Sequence, residues 1–288
     1  MKDTTDELRV QPGKAVSLHD SPTKIEPIYR SKQDYRALLA AHTQELASLQ
    51  ARLYASGSHA VLLIFQAMDA AGKDGAIKHV MSGVNPQGCE VTSFKQPTAE
   101  ERAHDFLWRT TCRLPARGRI GIFNRSYYEE VLVVRVHPEL LQSQGIDSRE
   151  GRSKRFWRQR YRSIVDLERH LDRNRTRVIK FFLHVSKAEQ RRRFLDRLDE
   201  PEKMWKFEPA DIQERKYWAG YMKAYEACLS ATSTRHAPWY VIPADDKANA
   251  RLLVSQVILE ELRALDLQYP KPDEQRLAEL HRLRELLE

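Results

Sequence analysis

Residues 61–77 read Val-Leu-Leu-Ile-Phe-Gln-Ala-Met-Asp-Ala-Ala-Gly-Lys-Asp-Gly-Ala-Ile, and this stretch constrains the fold more than any other. Five apolar, partly β-branched residues in a row suit a strand covered on both faces, the situation of a parallel sheet. A loop of small residues follows, from Ala67 to Gly72, and then Lys73 and a helical stretch from Asp74 to Met81. A strand, a tight loop, a lysine and a helix N-terminus together form a phosphate cradle. The amides of Ala70, Ala71, Gly72, Lys73, Asp74 and Gly75 carry the positive end of the helix dipole, and the Lys73 ammonium adds a full charge.

The match to the phosphate-loop pattern Gly-x4-Gly-Lys-Ser/Thr is incomplete. Ala67 stands at the first glycine and Asp74 at the metal-binding hydroxyl. A metal therefore needs another oxygen ligand, and Asp69 inside the loop is the nearest. The plain alternative is an ordinary strand-to-helix turn that happens to carry a Gly, a Lys and two acids.

The rest of the chain repeats the strand–helix rhythm. Apolar positions from Tyr35 to Leu53 recur at helical spacing. Strands are expected at Cys89–Phe94, Arg119–Phe123, Arg177–Val185 and Trp239–Ile242. Thr98 and Glu101 form a capping box that should start a helix running to about Cys112. Further helices are expected at Tyr127–Val136, Ser153–Arg173, Lys187–Leu198, Asp211–Leu229, Asp246–Leu265 and Leu277–Leu287, with 142–151 as a loop. This alternation predicts a three-layer α/β/α fold of phosphate-loop kinase type, with a parallel five-stranded sheet and a helical lid. Residues 1–30 read as a loosely packed extension, 31–268 as the kinase-like domain with its lid at about 187–212, and 269–288 as a helical tail. Ligands of such sheets bind beyond the strand carboxyl ends, which brings the Gly72 loop and Asn124-Arg125 to one crevice.

The net charge of +8 suits a polyanionic partner, but a solvated basic surface would look the same. Cys89, Cys112 and Cys228 show neither metal spacing nor a disulfide framework, and there is no apolar leader or membrane-length apolar run. These features predict a cytoplasmic protein. No recognition-helix, zinc-finger or RNA-binding signature supports nucleic acid as the partner.

Phosphoryl transfer needs a donor phosphate held in line, cations around it and a positioned acceptor. Lys73 and the loop amides can hold phosphate, Asp69 can hold Mg²⁺, and Arg125 should point into the same crevice. Asn124 can serve either as a weak metal-shell oxygen or as a turn former. Arg193 and Arg197 share one helix face before a Pro-bounded loop carrying Lys203 and Lys206, which suggests a lid. Trp108, Trp157, Trp205 and Trp218 read as core or interface residues.

The chain also resembles the polyphosphate kinase 2 family. The resemblance rests on Gln66–Gly75, Ser82–Gly88, His104–Arg109, Phe123–Glu129 and the Met-Trp-Lys-Phe core of residues 199–210, and spans roughly Tyr29 to Leu267. It is nearest to the class that phosphorylates both AMP and ADP, whose members resemble this chain at Asn124 and Glu129. The resemblance implies transfer of a terminal phosphoryl group from inorganic polyphosphate to AMP and ADP, giving ADP and ATP. It implies Mg²⁺ (with Mn²⁺ as the alternative) held by Asp69, Asn124 and Glu129. Lys95, Arg109, Arg113 and Glu129 become expected nucleotide contacts, and Arg193, Arg197, Lys203 and Lys206 polyphosphate contacts. A dimer or tetramer is expected. The competing enzyme reading is an ATP-dependent monophosphate kinase of thymidylate-kinase type.

Overall fold

β1 (Ala60–Ala67) is completely buried along its apolar run, as a central parallel strand must be. The computed structural model describes residues 2–205, 207 and 209–288, leaving aside the side chains of Lys2, Asp3, Thr4 and Lys203. The chain starts with α1 (Lys2–Leu8) and α2 (Lys32–Ser56); Ser31 caps α2 and Gly57 ends it in the left-handed region. After β1 come α3 (Lys73–Val80), β2 (Cys89–Ser93), α4 (Ala99–Ala103), α5 (Trp108–Thr111) and β3 (Ile120–Asn124). Then follow α6 (Glu129–Val136), α7 (Lys154–Arg173), β4 (Thr176–His184), α8 (Lys187–Asp199), α9 (Pro201–Met204) and α10 (Pro209–Glu214). The chain continues through α11 (Trp218–Thr232), β5 (Trp239–Pro243), α12 (Lys247–Arg263) and α13 (Glu274–Glu285).

All four strand pairings are parallel, in the order β2-β3-β1-β4-β5. α12 packs on α2 and α3, while α11 packs on α6 and α7. This is the α/β architecture expected from the alternation of strands and helices. The order reverses at β1, whose neighbours β3 and β4 lead away in opposite directions. A crevice therefore opens at the carboxyl end of β1, where the loop 67–72 begins.

Four local expectations need correction. The helix expected to run to Cys112 breaks at His104. The Asp105 carboxylate accepts the Leu107 N–H at 2.8 Å and helps to restart the chain as α5. Residues 142–151 largely form two 3₁₀ turns rather than an open loop. Behind them Arg160 donates to the Glu130 carboxylate and to Gln144 in a nearly closed cluster. The helix expected at Asp211–Leu229 is three pieces, because the 3₁₀ turn Arg215–Tyr217 separates α10 from α11. A short helix, α9, occupies part of the segment read as a Pro-bounded loop.

Residues 1–30 are not loose. Val10 N–H donates to the Trp239 carbonyl at 2.9 Å and Arg9 makes an antiparallel bridge to Tyr240, so the segment covers the β5 edge. Leu18 N–H donates to Glu226, Thr23 to Asp245 and Tyr29 to Asp246. Side-chain acceptors on the body thus satisfy a polar segment whose own sequence shows little apolar periodicity.

Candidate active site

The loop between β1 and α3 is tightly wound. Ala70 has φ +60° and Gly72 φ +104°. The first is tolerable for alanine at a cost; the second is a glycine conformation. The first α3 hydrogen bond runs from Ala76 N–H to the Gly72 carbonyl at 2.9 Å. The amides of Lys73, Asp74 and Gly75 precede it and lie at the open, positive end of the helix. Lys73 Nζ folds back to the Ala67 carbonyl at 2.9 Å, which centres the charge over the loop. Burial pushes its pKa down and Arg125 pushes it further, against the pull of Asp69, Glu129 and Asp74.

A second tight turn closes the crevice from β3. Arg125 has φ +66°, and its N–H donates to the Phe65 carbonyl on β1 at 3.0 Å. A non-glycine residue in the left-handed region at the end of a core strand is strained backbone held by its surroundings. Its guanidinium lies 3.1 Å from Asp69 Oδ1, and Glu129, more than Asp69, raises its pKa. The next residues hold the turn down. Tyr127 and Tyr128 both donate to Glu168 Oε1, at 2.9 and 2.8 Å. Lys180, with no exposed surface, donates to Glu168 Oε2 at 2.6 Å and to the Tyr128 hydroxyl at 2.9 Å. A buried pair of this kind adds little net stability, but removing one partner costs about 3–5 kcal/mol, so it fixes position rather than adding strength.

Asp69, Lys73, Arg125 and Glu129 thus come together in one electrostatically coupled group. Glu129 is half-buried and accepts a hydrogen bond from Gln66 at 2.8 Å, while Glu130 turns inward to Arg160. Asn124 donates to Asp74 Oδ1 at 2.8 Å, which ties the β3 end to α3 and leaves its amide oxygen as the group able to face a cation. Among the described residues no three His, Cys, Asp or Glu side chains cluster as a metal cage. Asp69 and Glu129 are oxygen donors near an open phosphate cradle. That suits an octahedral, partly hydrated cation such as Mg²⁺, which binds through one or two carboxylates and the substrate's own phosphates.

Arg193 differs from the lid reading. It is 3% exposed and spends its donors on the Ala70, Ala71, Ala244 and Asp245 carbonyls and on Glu189. It braces the phosphate loop from behind, with no donor left to grip a chain. Arg197, one turn on, is half-buried with its guanidinium over the Phe194 ring at 5.4 Å. The Lys203 side chain and Lys206 lie outside the described residues. Arg109 packs over Phe94 at 5.1 Å and donates to the Lys95 carbonyl, holding the segment after β2; Lys95 and Arg113 are exposed. Trp205 is exposed rather than in the core, whereas Trp157 is buried as expected.

Sequence reasoning missed four residues. Gln66 sits behind Glu129, and Gln190 donates to the Asp69 carbonyl at 2.9 Å. Tyr221 and Tyr225 on α11 feel the charges of Asp69 and Glu129, and burial, followed for Tyr225 by Glu129, raises the Tyr225 pKa well above the ordinary value. Their spacing of four was visible, but nothing in it distinguishes a crevice wall from core.

A parallel sheet, a lysine-bearing loop at its switch point and convergent acids and arginine define a phosphotransferase of the phosphate-loop kinase type. The family model described as Polyphosphate kinase 2 matches residues 29–270, and the chain belongs to that family. It is 60% identical to the ADP-polyphosphate phosphotransferase of Rhodopseudomonas palustris, over 100% of this chain and 99% of that one. It is 46% identical to the AMP/ADP-polyphosphate phosphotransferase of Meiothermus ruber, over 92% and 95%. The crystal structure of polyphosphate kinase 2 from Arthrobacter aurescens TC1 superposes with a TM-score of 0.86 at 42% identity, covering 97% of this chain and 96% of that one. Among the described residues no helix is long and apolar enough to cross a membrane.

Proposed function

We propose that this protein transfers the terminal phosphoryl group of inorganic polyphosphate to ADP and to AMP, and that it does so in the cytoplasm as a homo-oligomer. The single observation that carries the reading is the convergence of Lys73, Arg125, Asp69 and Glu129 on one crevice, in a chain similar to phosphotransferases whose names join polyphosphate to these acceptors. Lys73 and the loop amides hold the donor phosphoryl. Arg125 neutralises charge that spreads over its oxygens during transfer. Asp69 and Glu129, with the Asn124 oxygen, hold Mg²⁺ or Mn²⁺. When bound, the cation neutralises phosphate charge and helps align donor and acceptor oxygens. Arg197 and the lid lysines grip the donor chain, and Lys95, Arg109 and Arg113 line the acceptor side. Arg109 acts there through the backbone that it holds.

Glu129 favours AMP as an acceptor beside ADP. AMP is one phosphate shorter, so the gap to the donor must be filled, and a carboxylate facing the crevice can hold a hard cation there. The test supplies polyphosphate, Mg²⁺ and either AMP or ADP without ATP. Product from both acceptors is expected. Turnover with ATP as donor and none with polyphosphate would make this an ATP-dependent monophosphate kinase.

A further inference from the structure

Gln66 is the last polar residue of β1 before the loop, and its side chain has no exposed surface. Its amide N–H donates to Glu129 Oε1 at 2.8 Å, across from β1 to the first turn of α6. Its carbonyl oxygen is buried without a hydrogen-bond partner among the described residues. A buried amide half satisfied in this way is a liability, and a leucine or methionine would fill the same space without it. What the amide does achieve is to hold one carboxylate oxygen of Glu129. The carboxylate so held is not free to swing fully onto Lys73 and Arg125, the cations with which it interacts electrostatically. The second oxygen makes no hydrogen bond or ion pair among the described residues.

We propose that Gln66 is a positioning residue for acceptor choice: it parks Glu129 away from Lys73 and Arg125 and presents its free oxygen towards the shorter acceptor, AMP. The inference rests on the reading of Glu129 as the AMP-side carboxylate. Without the Gln66 donor, Glu129 collapses onto Arg125 or Lys73. It then neutralises a phosphate-binding cation and no longer serves AMP. ADP, which reaches the donor with its own second phosphate, depends less on that oxygen.

The test is a double-mutant cycle read as the ratio of kcat/KM for AMP to kcat/KM for ADP, with polyphosphate as donor. Gln66→Met should lower the ratio about tenfold, the size expected for a lost hydrogen bond to a charged group, and mainly through kcat for AMP. Glu129→Gln alone should lower it as well, and adding Gln66→Met to Glu129→Gln should change it no further. The exchanged pair, Gln66→Glu with Glu129→Gln, can remake the hydrogen bond with the charge on the wrong side. It should fold with a lowered melting temperature, because the charge is now fully buried, and leave the ratio low. The exchanged pair also answers the question if Gln66→Met fails to fold. An effect of Gln66→Met undiminished in the Glu129→Gln background would overturn the role of Gln66 while leaving Glu129 its own, and a ratio restored by the exchanged pair would overturn both roles. An unchanged ratio in Glu129→Gln would overturn the reading of Glu129, and the positioning role with it.

Discussion

Lys73 shows how one residue's setting defines its use. Its ammonium is bonded to the Ala67 carbonyl, half-buried, and pressed by Arg125, so the loop holds concentrated positive charge before any phosphate arrives. Lys73→Ala should cut turnover by about a hundredfold or more, as expected when a main transition-state cation is removed, with the melting temperature little changed. Near-normal rates in the folded variant would refute its role. Asp69 also pairs with Arg125 at 3.1 Å, so its two duties can be separated. Asp69→Asn should raise the Mg²⁺ concentration needed for half-maximal rate, and a lower rate with unchanged metal dependence would make Asp69 a partner of Arg125 only.

Among elements, α8 departs most from its sequence. Arg193 and Arg197 on one helix face before a Pro-bounded loop read as a phosphate-gripping pair, but helical periodicity cannot say whether that face turns inward. Arg193 does, and braces the loop through carbonyls of Ala70 and Ala71. Arg193→Ala should therefore lower stability by about 3 kcal/mol, as for a broken buried ion pair. Arg193→Lys should rescue little, because an ammonium cannot span those acceptors. Arg197→Ala should keep the melting temperature and weaken polyphosphate binding; unchanged affinity would return Arg197 to plain surface. Glu189 links this brace to pH. Its bonds to Arg192, and then to Arg193, hold its pKa at about 2, below the ordinary 4.5. Its folded-state pKa is depressed, so its contribution is present above pH 4.5 and is lost as pH falls towards 2. Glu189→Gln should accordingly lower the melting temperature more at pH 7 than at pH 3. The strands and the cradle were legible because they follow from apolar runs and a small-residue turn, whereas Glu129 was singled out by family resemblance alone. The Arg193 brace, the Gln66 contact and the breaks at His104 and Arg215 depend on partners far off in sequence or on single side-chain caps, and periodicity carries no record of those.

At the scale of the molecule, the polar segment 1–30 is part of the fold because β5 is an edge strand that needs cover. Deleting residues 1–21 should lower the melting temperature and promote association. An unchanged melting temperature would show that the bridge to Tyr240 adds nothing. The net charge of +8 agrees with a polyanionic donor but does not select it; membership of the polyphosphate kinase 2 family does. The central claim is that one crevice, built on Lys73, phosphorylates AMP and then ADP from polyphosphate. A single vessel with AMP, Mg²⁺ and polyphosphate, and no ATP, should show ADP rising first and then falling as ATP accumulates after a lag. Lys73→Ala should slow both phases by the same factor, whereas loss of only one phase, or no nucleotide product from wild-type protein, would contradict the account.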